Sequence, residues 1–596
     1  MEGPYDLVTL VRRTTEAHAA KPFLVYERDG RWMRMLYADL AREEVRLRAA
    51  LARLGVTRGD RVAVISKNRP EWVVVTAAAH ALGAVVVPMY EVQHAEDWRH
   101  ILRDARAKVC FASTLAIDEK VRAMLGDLPD LRHVATFDRG GSDDTSFAHL
   151  IASASPGDAP FVLPSPEDDA AYIYTSGTTG KPKGVRLSHR AFAFEARAMR
   201  DAWGVTSSDR TVSILPWAHV GGFTELVVSL QFGGSIALVS AVDRLGETIR
   251  VTRPTMMVAV PRVWNGLYDQ IHKSIAEQPP AIRWLFETAI EAQRKRRAGE
   301  RLGKRERAAR RLAQRVLFPK IHAKLGGELR LAISGAAALS KDVGEFFACL
   351  GLEGYEVYGQ TEAGAVSTIN RRGAVRMGTV GKALDGIRIE IDRSVGDADD
   401  GSGEIVIHTP AAMSGYHGMA EETHAVLRAD GGIRTGDLGR FDADGFLLIT
   451  GRVREVYKLE NGKFVTPVPI EEKLTLSPYI AQAFVWGLNK PNNVALLVVD
   501  KVSLEKWCAE SGVQGGVNDV IGHARVRELY GRELATRSSA FKGYERVHTF
   551  ALLTEAFTPE NGLLTPTLKV KRGAVVARHR ELLESLYAAG GRERTV

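Results

Sequence analysis

Helical and β-rich apolar stretches alternate along the chain from Ala38 to about Ala112. Gly59-Asp60-Arg61-Val62-Ala63-Val64-Ile65 reads as a turn entering a strand. Glu71 to Leu82 reads as an Ala- and Val-rich buried helix, and Gly83 to Pro88 as a second turn and strand. The alternation recurs through 211–215, 235–239 and 329–333, and it predicts an α/β fold with largely parallel sheets. After Thr368 the texture changes: strands become close-set and are parted by Gly and Asp turns at Gly386, Asp397 to Gly403 and Asp442 to Gly445. We expect a large N-terminal domain, 1–452, with a small β-rich subdomain at about 369–452, then a smaller α+β domain, 453–596.

Ile282, Leu285, Phe286, Ala289 and Ile290 recur at helical spacing and give one apolar stripe. It runs into ten Lys/Arg between Arg294 and Arg311, opposed only by Glu300 and Glu306, so most of the formal charge of +8 sits here. No aromatics interleave with these residues, and a nucleic-acid surface is not expected. A core-packed helix continuing into a solvated extension is the simpler reading; a peripheral contact with an anionic membrane is the other. The segment Trp72 to Met89 is apolar, but His80, Gly83 and Pro88 interrupt it and its length barely spans a bilayer.

Composition narrows the class. At 596 residues the chain exceeds one ordinary core, and 45% apolar with 26% charged residues is globular. The N-terminus lacks a charged region followed by an apolar one, so no signal peptide is expected. Cys110, Cys349 and Cys508 lie far apart without metal-ligand spacing. That argues for a reducing, cytoplasmic setting and against a disulfide framework or metal cluster.

The richest local signal is Ala-Tyr-Ile-Tyr-Thr-Ser-Gly-Thr-Thr-Gly-Lys-Pro-Lys-Gly-Val, residues 171–185. A short buried strand leads into Thr175, Ser176, Gly177, Thr178, Thr179 and Gly180, then Lys181 and Lys183. Glycines let backbone amides crowd a phosphate, hydroxyls add donors and lysines add charge. It is not a Walker A loop: only Thr178 and Thr179 separate the two glycines, and Pro182 follows Lys181 where a hydroxyl is needed.

This run resembles the signature of the adenylate-forming enzymes, which include acyl-CoA synthetases, adenylation domains and luciferases. Three later segments extend the resemblance. Gly354-Tyr355-Glu356-Val357-Tyr358-Gly359-Gln360-Thr361-Glu362 offers an aromatic face beside a glycine and a Thr-Glu pair able to reach a phosphate and its metal. By resemblance Tyr358 stacks on adenine, Thr361 contacts the α-phosphate, and Glu362, with Thr175, holds Mg²⁺. Thr435-Gly436-Asp437-Leu438-Gly439 with Ile449-Thr450-Gly451-Arg452 supplies an Asp and an Arg suited to ribose, although an Asp in a Gly turn is as readily structural. The resemblance gives nucleotide contacts to Asp437, Ile449 and Arg452, to Gly335 and Ala336, and to Glu356 through Gln360. Arg454 is implied as the hinge of a mobile C-terminal lid. In Phe557 to Arg572 the resemblance makes Lys569 the residue delivered to the reacting phosphate, with Lys571 close by.

Leu215-Pro216-Trp217-Ala218-His219-Val220, Val260-Pro261-Arg262-Val263-Trp264-Asn265, Ser334 to Leu339 and Lys458 to Val465 resemble the long-chain fatty acyl-CoA synthetases in particular. An acyl pocket at Trp217, His219, Val220, Gly221, Gly222, Val260 and Trp264 is implied, with His219 either lining the site or packed in the core. Val220-Gly221-Gly222 departs from the bulky or charged residues usual after the Ala-His pair. The resemblance implies ATP and Mg²⁺, a fatty acid activated as acyl-adenylate, and transfer to coenzyme A. The alternatives are an acyl-AMP ligase loading a carrier protein and a non-catalytic, membrane-associated binding relative.

Overall fold

This computed structural model describes residues 5–140, 144–155, 157, 160–176, 181–337, 339–395, 401–453, 455–461, 463–539, 541–565 and 569–588. Two large sheets carry the N-terminal part. The seven-stranded sheet runs in the order Gly415–Tyr416, Pro182–Ser188, Asp169–Ser176, Val85–Met89, Arg61–Ile65, Ala107–Ala112, His133–Thr136. Its middle is parallel and its strands are continuous apolar runs: Val62, Ala63, Val64 and Ile65 are fully buried. Such runs are what burial on both faces demands. The helix Pro70–His80 covers one face and is buried almost all round, which explains its Val- and Ala-rich sequence. Gly83, at φ +69°, makes the turn back into the sheet.

The nine-stranded sheet runs Lys382–Ala383, Thr368–Ile369, Glu353–Tyr358, Leu331–Ser334, Met256–Ala259, Arg210–Ser213, Ser235–Leu238, Pro22–Arg28, Arg31–Leu36. Its central pairs are parallel and its edges antiparallel. A four-stranded sheet of Arg388–Asp392, Gly403–His408, Ile433–Phe441 and Leu447–Arg452 forms the close-set strands expected after Thr368.

The chain divides into two compact units, 1–390 with 406–435 and 441–448, and 391–405 with 436–440 and 449–596. The second unit contains a three-stranded sheet, Ile480–Trp486, Asn493–Val499 and Val547–Leu553, with an apolar cluster on each face.

The apolar stripe of helix Pro280–Arg297 lies in the first unit's core, where Leu285, Phe286, Ala289 and Ile290 pack with Phe346 and Leu350. The following helix, Lys304–Val316, buries Ala309 and Ala313 against the same core, leaves Arg305, Arg307, Arg311 and Arg315 exposed and half-buries Arg310. Those residues of the stripe are therefore core residues, whereas Trp284, Leu312 and Val316 on the same two helices are exposed. Among the described residues no helix is long and apolar enough to cross a membrane. Cys110, Cys349 and Cys508 are buried free thiols.

Candidate active site

In the first unit, Asp169–Ser176 and Pro182–Ser188 form an antiparallel hairpin in which Thr175 faces Lys183 and Tyr174 faces Gly184. A side chain at position 184 would put its Cβ 2.9 Å from the Tyr174 ring, so glycine is required there. The Tyr174 hydroxyl donates to Asp104 at 2.6 Å and fixes the strand. Gly177, Thr178, Thr179 and Gly180 lie outside the described residues, as does the side chain of Ser176. Lys181 is exposed; Lys183 is half-buried and places its ammonium 5.4 Å over the Tyr416 ring.

The other sheet contributes Glu353–Tyr358 and the 3₁₀ turn Thr361–Ala363. A Cβ at Gly359 would lie 2.2 Å from the Ala365 carbonyl oxygen, which explains the glycine after Tyr358. Tyr358 is half-exposed, as a stacking face requires, and Thr361 is buried at the turn. Glu362 accepts a hydrogen bond on Oε1 from the Tyr416 hydroxyl at 2.7 Å, and its carbonyl accepts from the Met413 amide at 2.9 Å. Glu356 is buried and accepts from the Leu339 amide at 3.1 Å; burial pushes its carboxyl up to about 7. It thereby ties Val357 and Tyr358 to the segment carrying Gly335 and Ala336. At Gly335 a Cβ would sit 2.8 Å from Val357 Cγ2, and Ala336 is held at φ +70°.

The segment expected to meet the acid is anchored rather than loose. Asn68 donates to the Leu215 carbonyl and accepts from the Trp217 amide, both at 2.8 Å. Trp217 is fully buried against Trp72, with ring centroids 5.3 Å apart. His219 caps the helix Val220–Phe232: its Nδ1 accepts from the Gly221 amide at 3.1 Å. Val220 is buried, and at Gly222 a Cβ would come 2.1 Å from the Pro216 carbonyl oxygen. The Gly-Gly departure thus lets the helix start close against the preceding turn. Val260 stands at the N-terminal boundary of the helix Pro261–Ala276, while Trp264 is buried against Phe347 and donates to the Ile333 carbonyl at 3.2 Å. Both tryptophans belong to the core.

In the second unit, Asp437 is buried and pairs with Arg452, Nε to Oδ1 2.8 Å. The two residues expected at ribose hold each other, which pre-orients the carboxylate; Ile449 is half-buried on the same strand as Arg452. Arg454 lies outside the described residues. Lys569 is exposed; its amide donates to Thr565 Oγ1 at 3.0 Å and its carbonyl accepts from the Thr565 amide at 2.8 Å.

The residues present suit a magnesium-bound triphosphate. Glu362 is a hard oxygen donor held by a neutral hydroxyl, so its charge is not cancelled by that contact, and Lys183 stands nearby for phosphate. Elsewhere Glu390, His408 and Asp430 have their ligand atoms within 4.8 Å of one another, but Arg428 already pairs with Glu390 at 2.8 Å and Asp430 at 2.9 Å.

The sequence matches the AMP-binding enzyme family over residues 11–417. The chain belongs to that family. Full-length relatives agree: it is 33% identical over 580 residues to the long-chain-fatty-acid–CoA ligase FadD15 of Mycobacterium bovis, covering 95% of this chain and 94% of the relative. It is 30% identical to the peroxisomal long chain acyl-CoA synthetase 7 of Arabidopsis thaliana, covering 94% of this chain and 82% of that one. The A-PCP didomain of carboxylic acid reductase from Segniliparus rugosus, solved with AMP, has the same fold, with a TM-score of 0.77 at 21% identity over 99% of this chain and 83% of that one.

This AMP-binding enzyme also uses residues that no local pattern marks. Glu195 is fully buried beneath the 364–366 turn, where a Cβ at Gly364 would lie 3.0 Å from its Oε1. Burial holds its carboxyl well above the usual range. Glu225 accepts from Ser213 at 2.7 Å and Thr211 at 3.2 Å, and burial pushes it up to about 8. Arg572 makes two bonds to Glu471, at 2.8 and 3.0 Å, and anchors the chain just after Lys569.

Proposed function

We propose that the protein is an AMP-forming ligase that joins long-chain fatty acids to coenzyme A. The observation that carries this reading is similarity over nearly the whole chain to ligases of that class, 95% of this chain and 94% of the relative in one case. The geometry of the first unit supports it, because the phosphate hairpin and the Thr361–Glu362 turn meet at one tyrosine.

In the first half-reaction a carboxylate oxygen of the acid attacks the α-phosphorus of ATP; the bond to pyrophosphate breaks and an acyl-adenylate forms. Glu362, with Thr175, would hold Mg²⁺, which when bound offsets phosphate charge. Lys181 and Lys183 draw the triphosphate, Tyr358 stacks on adenine, Asp437 accepts from the ribose hydroxyls, and Lys569 offsets the charge that builds where carboxylate meets phosphate. In the second half-reaction the thiolate of coenzyme A attacks the acyl carbonyl and AMP leaves.

Pyrophosphate release across straight-chain acids from acetate upward, with and without coenzyme A, tests the assignment. We expect release that rises with chain length and acyl-CoA only when coenzyme A is present. Adenylate that passes to a carrier-protein thiol but never to free coenzyme A would overturn the acceptor, and absence of any acid-dependent release would overturn the ligase reading.

A further inference from the structure

Lys183 and Glu362 carry opposite charges and both touch the same side chain. The Tyr416 hydroxyl donates to Glu362 Oε1 at 2.7 Å, and the Lys183 ammonium lies 5.4 Å from the Tyr416 ring centroid. The backbone around this tyrosine is held on every side. Tyr416 pairs with Val185 in the hairpin strand, the His417 amide donates to the Gly184 carbonyl at 2.8 Å, and the Ser414 amide to the Arg186 carbonyl at 2.9 Å. On the other side, the Met413 amide donates to the carbonyl of Glu362 itself at 2.9 Å. The Tyr416 amide donates to Thr423 Oγ1 at 3.0 Å. Gly415, at φ +132°, has no room for a side chain, since a Cβ would lie 2.9 Å from Thr423 Cγ2. A strap from 413 to 417 therefore fastens the strand that follows the phosphate loop to the turn that carries the carboxylate.

We propose that Tyr416 is a positioning residue for the magnesium–triphosphate complex, acting as an insulating spacer between Lys183 and Glu362. A lysine and a glutamate that met directly would form an ion pair, and the pair would neutralise the charge on which the metal site depends. The aromatic ring gives the ammonium a different resting place, on its π-face. The hydroxyl binds the carboxylate without cancelling its charge and fixes its direction. One residue thus keeps the carboxylate available to a divalent cation and the lysine available to a phosphate oxygen. The inference rests on the reading of Glu362 as the magnesium carboxylate.

Calorimetric titration of the full chain with ATP, once with excess Mg²⁺ and once with EDTA, separates this role from a structural one. Tyr416→Phe keeps the ring and loses the hydroxyl; we expect about a tenfold loss of affinity for Mg·ATP and less than about twofold for metal-free ATP, the size expected for one charge-assisted hydrogen bond. Tyr416→Leu also loses the ring face, and a larger loss that still favours the metal-bound form is expected. In a Glu362→Gln background, Tyr416→Phe should add almost nothing, because its partner's charge is gone. Equal losses with and without metal, no loss at all, or full additivity with Glu362→Gln would each overturn the proposal. The Glu362→Gln single variant separates the two layers. Unchanged magnesium dependence in it would sink the assignment of Glu362, whereas failure at Tyr416 alone leaves that assignment standing. Tyr416→Phe is nearly isosteric, and the melting temperature of each variant checks that it folds.

Discussion

Replacing Lys569 by alanine should slow acyl-adenylate formation by about 10²–10³-fold, the usual cost of removing one donor aimed at developing charge. The reason is electrostatic. The attacking carboxylate and the α-phosphate are both anionic, and charge builds between them as the new bond forms. A compact ammonium at that place lowers the barrier without changing how tightly either substrate binds at rest. The fall should therefore appear in kcat, with KM for ATP altered only slightly. The two bonds to Thr565 use backbone atoms of residue 569 that alanine retains, and the melting temperature of the variant checks that it folds as the wild type does. Acyl-CoA formation from supplied acyl-adenylate should survive, since that half-reaction expels AMP rather than gathering charge at the α-phosphorus. Lys571→Ala is the control: its amide bonds the Leu563 carbonyl at 2.9 Å through the backbone, and its loss should cost only a few-fold. Rapid-quench measurement of adenylate decides it; a Lys569→Ala enzyme at the wild-type rate would remove the residue from the chemistry.

The second large effect is expected at Glu362. Glu362→Gln preserves shape and the acceptor oxygen for the Tyr416 hydroxyl, so the strap and the turn should keep their geometry. It removes the charge. Magnesium needs a hard anionic oxygen beside the phosphates, and an amide is a much poorer ligand. We expect kcat/KM for ATP to fall by roughly 10²-fold or more, in the range of removing a metal or oxyanion ligand, and the Mg²⁺ concentration for half-activity to rise. ATP–pyrophosphate exchange measured over a magnesium series reads both. Glu362→Gln with normal exchange and normal magnesium dependence would contradict the assignment.

Much of the site was legible because its signals are local. Residues 171–174 read as a strand leading into a Thr/Ser/Gly loop, and the structure has Asp169–Ser176 forming half of a hairpin there. The turns at Gly335 and Gly359 exist because nothing larger fits against Val357 Cγ2 and the Ala365 carbonyl, a constraint that writes itself into sequence as an obligatory glycine. What could not be read is what distance along the chain conceals. Tyr416 stands 54 residues from Glu362, and Arg572 stands 101 from Glu471; neither pairing leaves a pattern in a short window. Burial is similarly hidden. Trp217 and Trp264 look like pocket residues by their neighbours, yet each is enclosed in the core, one by Trp72 and the other by Phe347. The stripe from Ile282 to Ile290 illustrates the same limit, because periodicity shows that a face is apolar and leaves open what covers it. Here Phe346 and Leu350 cover it.

A single intermediate, the acyl-adenylate, decides the chemistry. Wild-type enzyme mixed with palmitate, ATP and Mg²⁺ in the absence of coenzyme A, quenched within one turnover and analysed by mass spectrometry, should contain palmitoyl-adenylate and an equal amount of pyrophosphate. Adding coenzyme A before the quench should convert that adenylate into palmitoyl-CoA and AMP. Palmitoyl-CoA formed with ADP and phosphate, or no palmitoyl-adenylate under any acid and magnesium concentration, would contradict it.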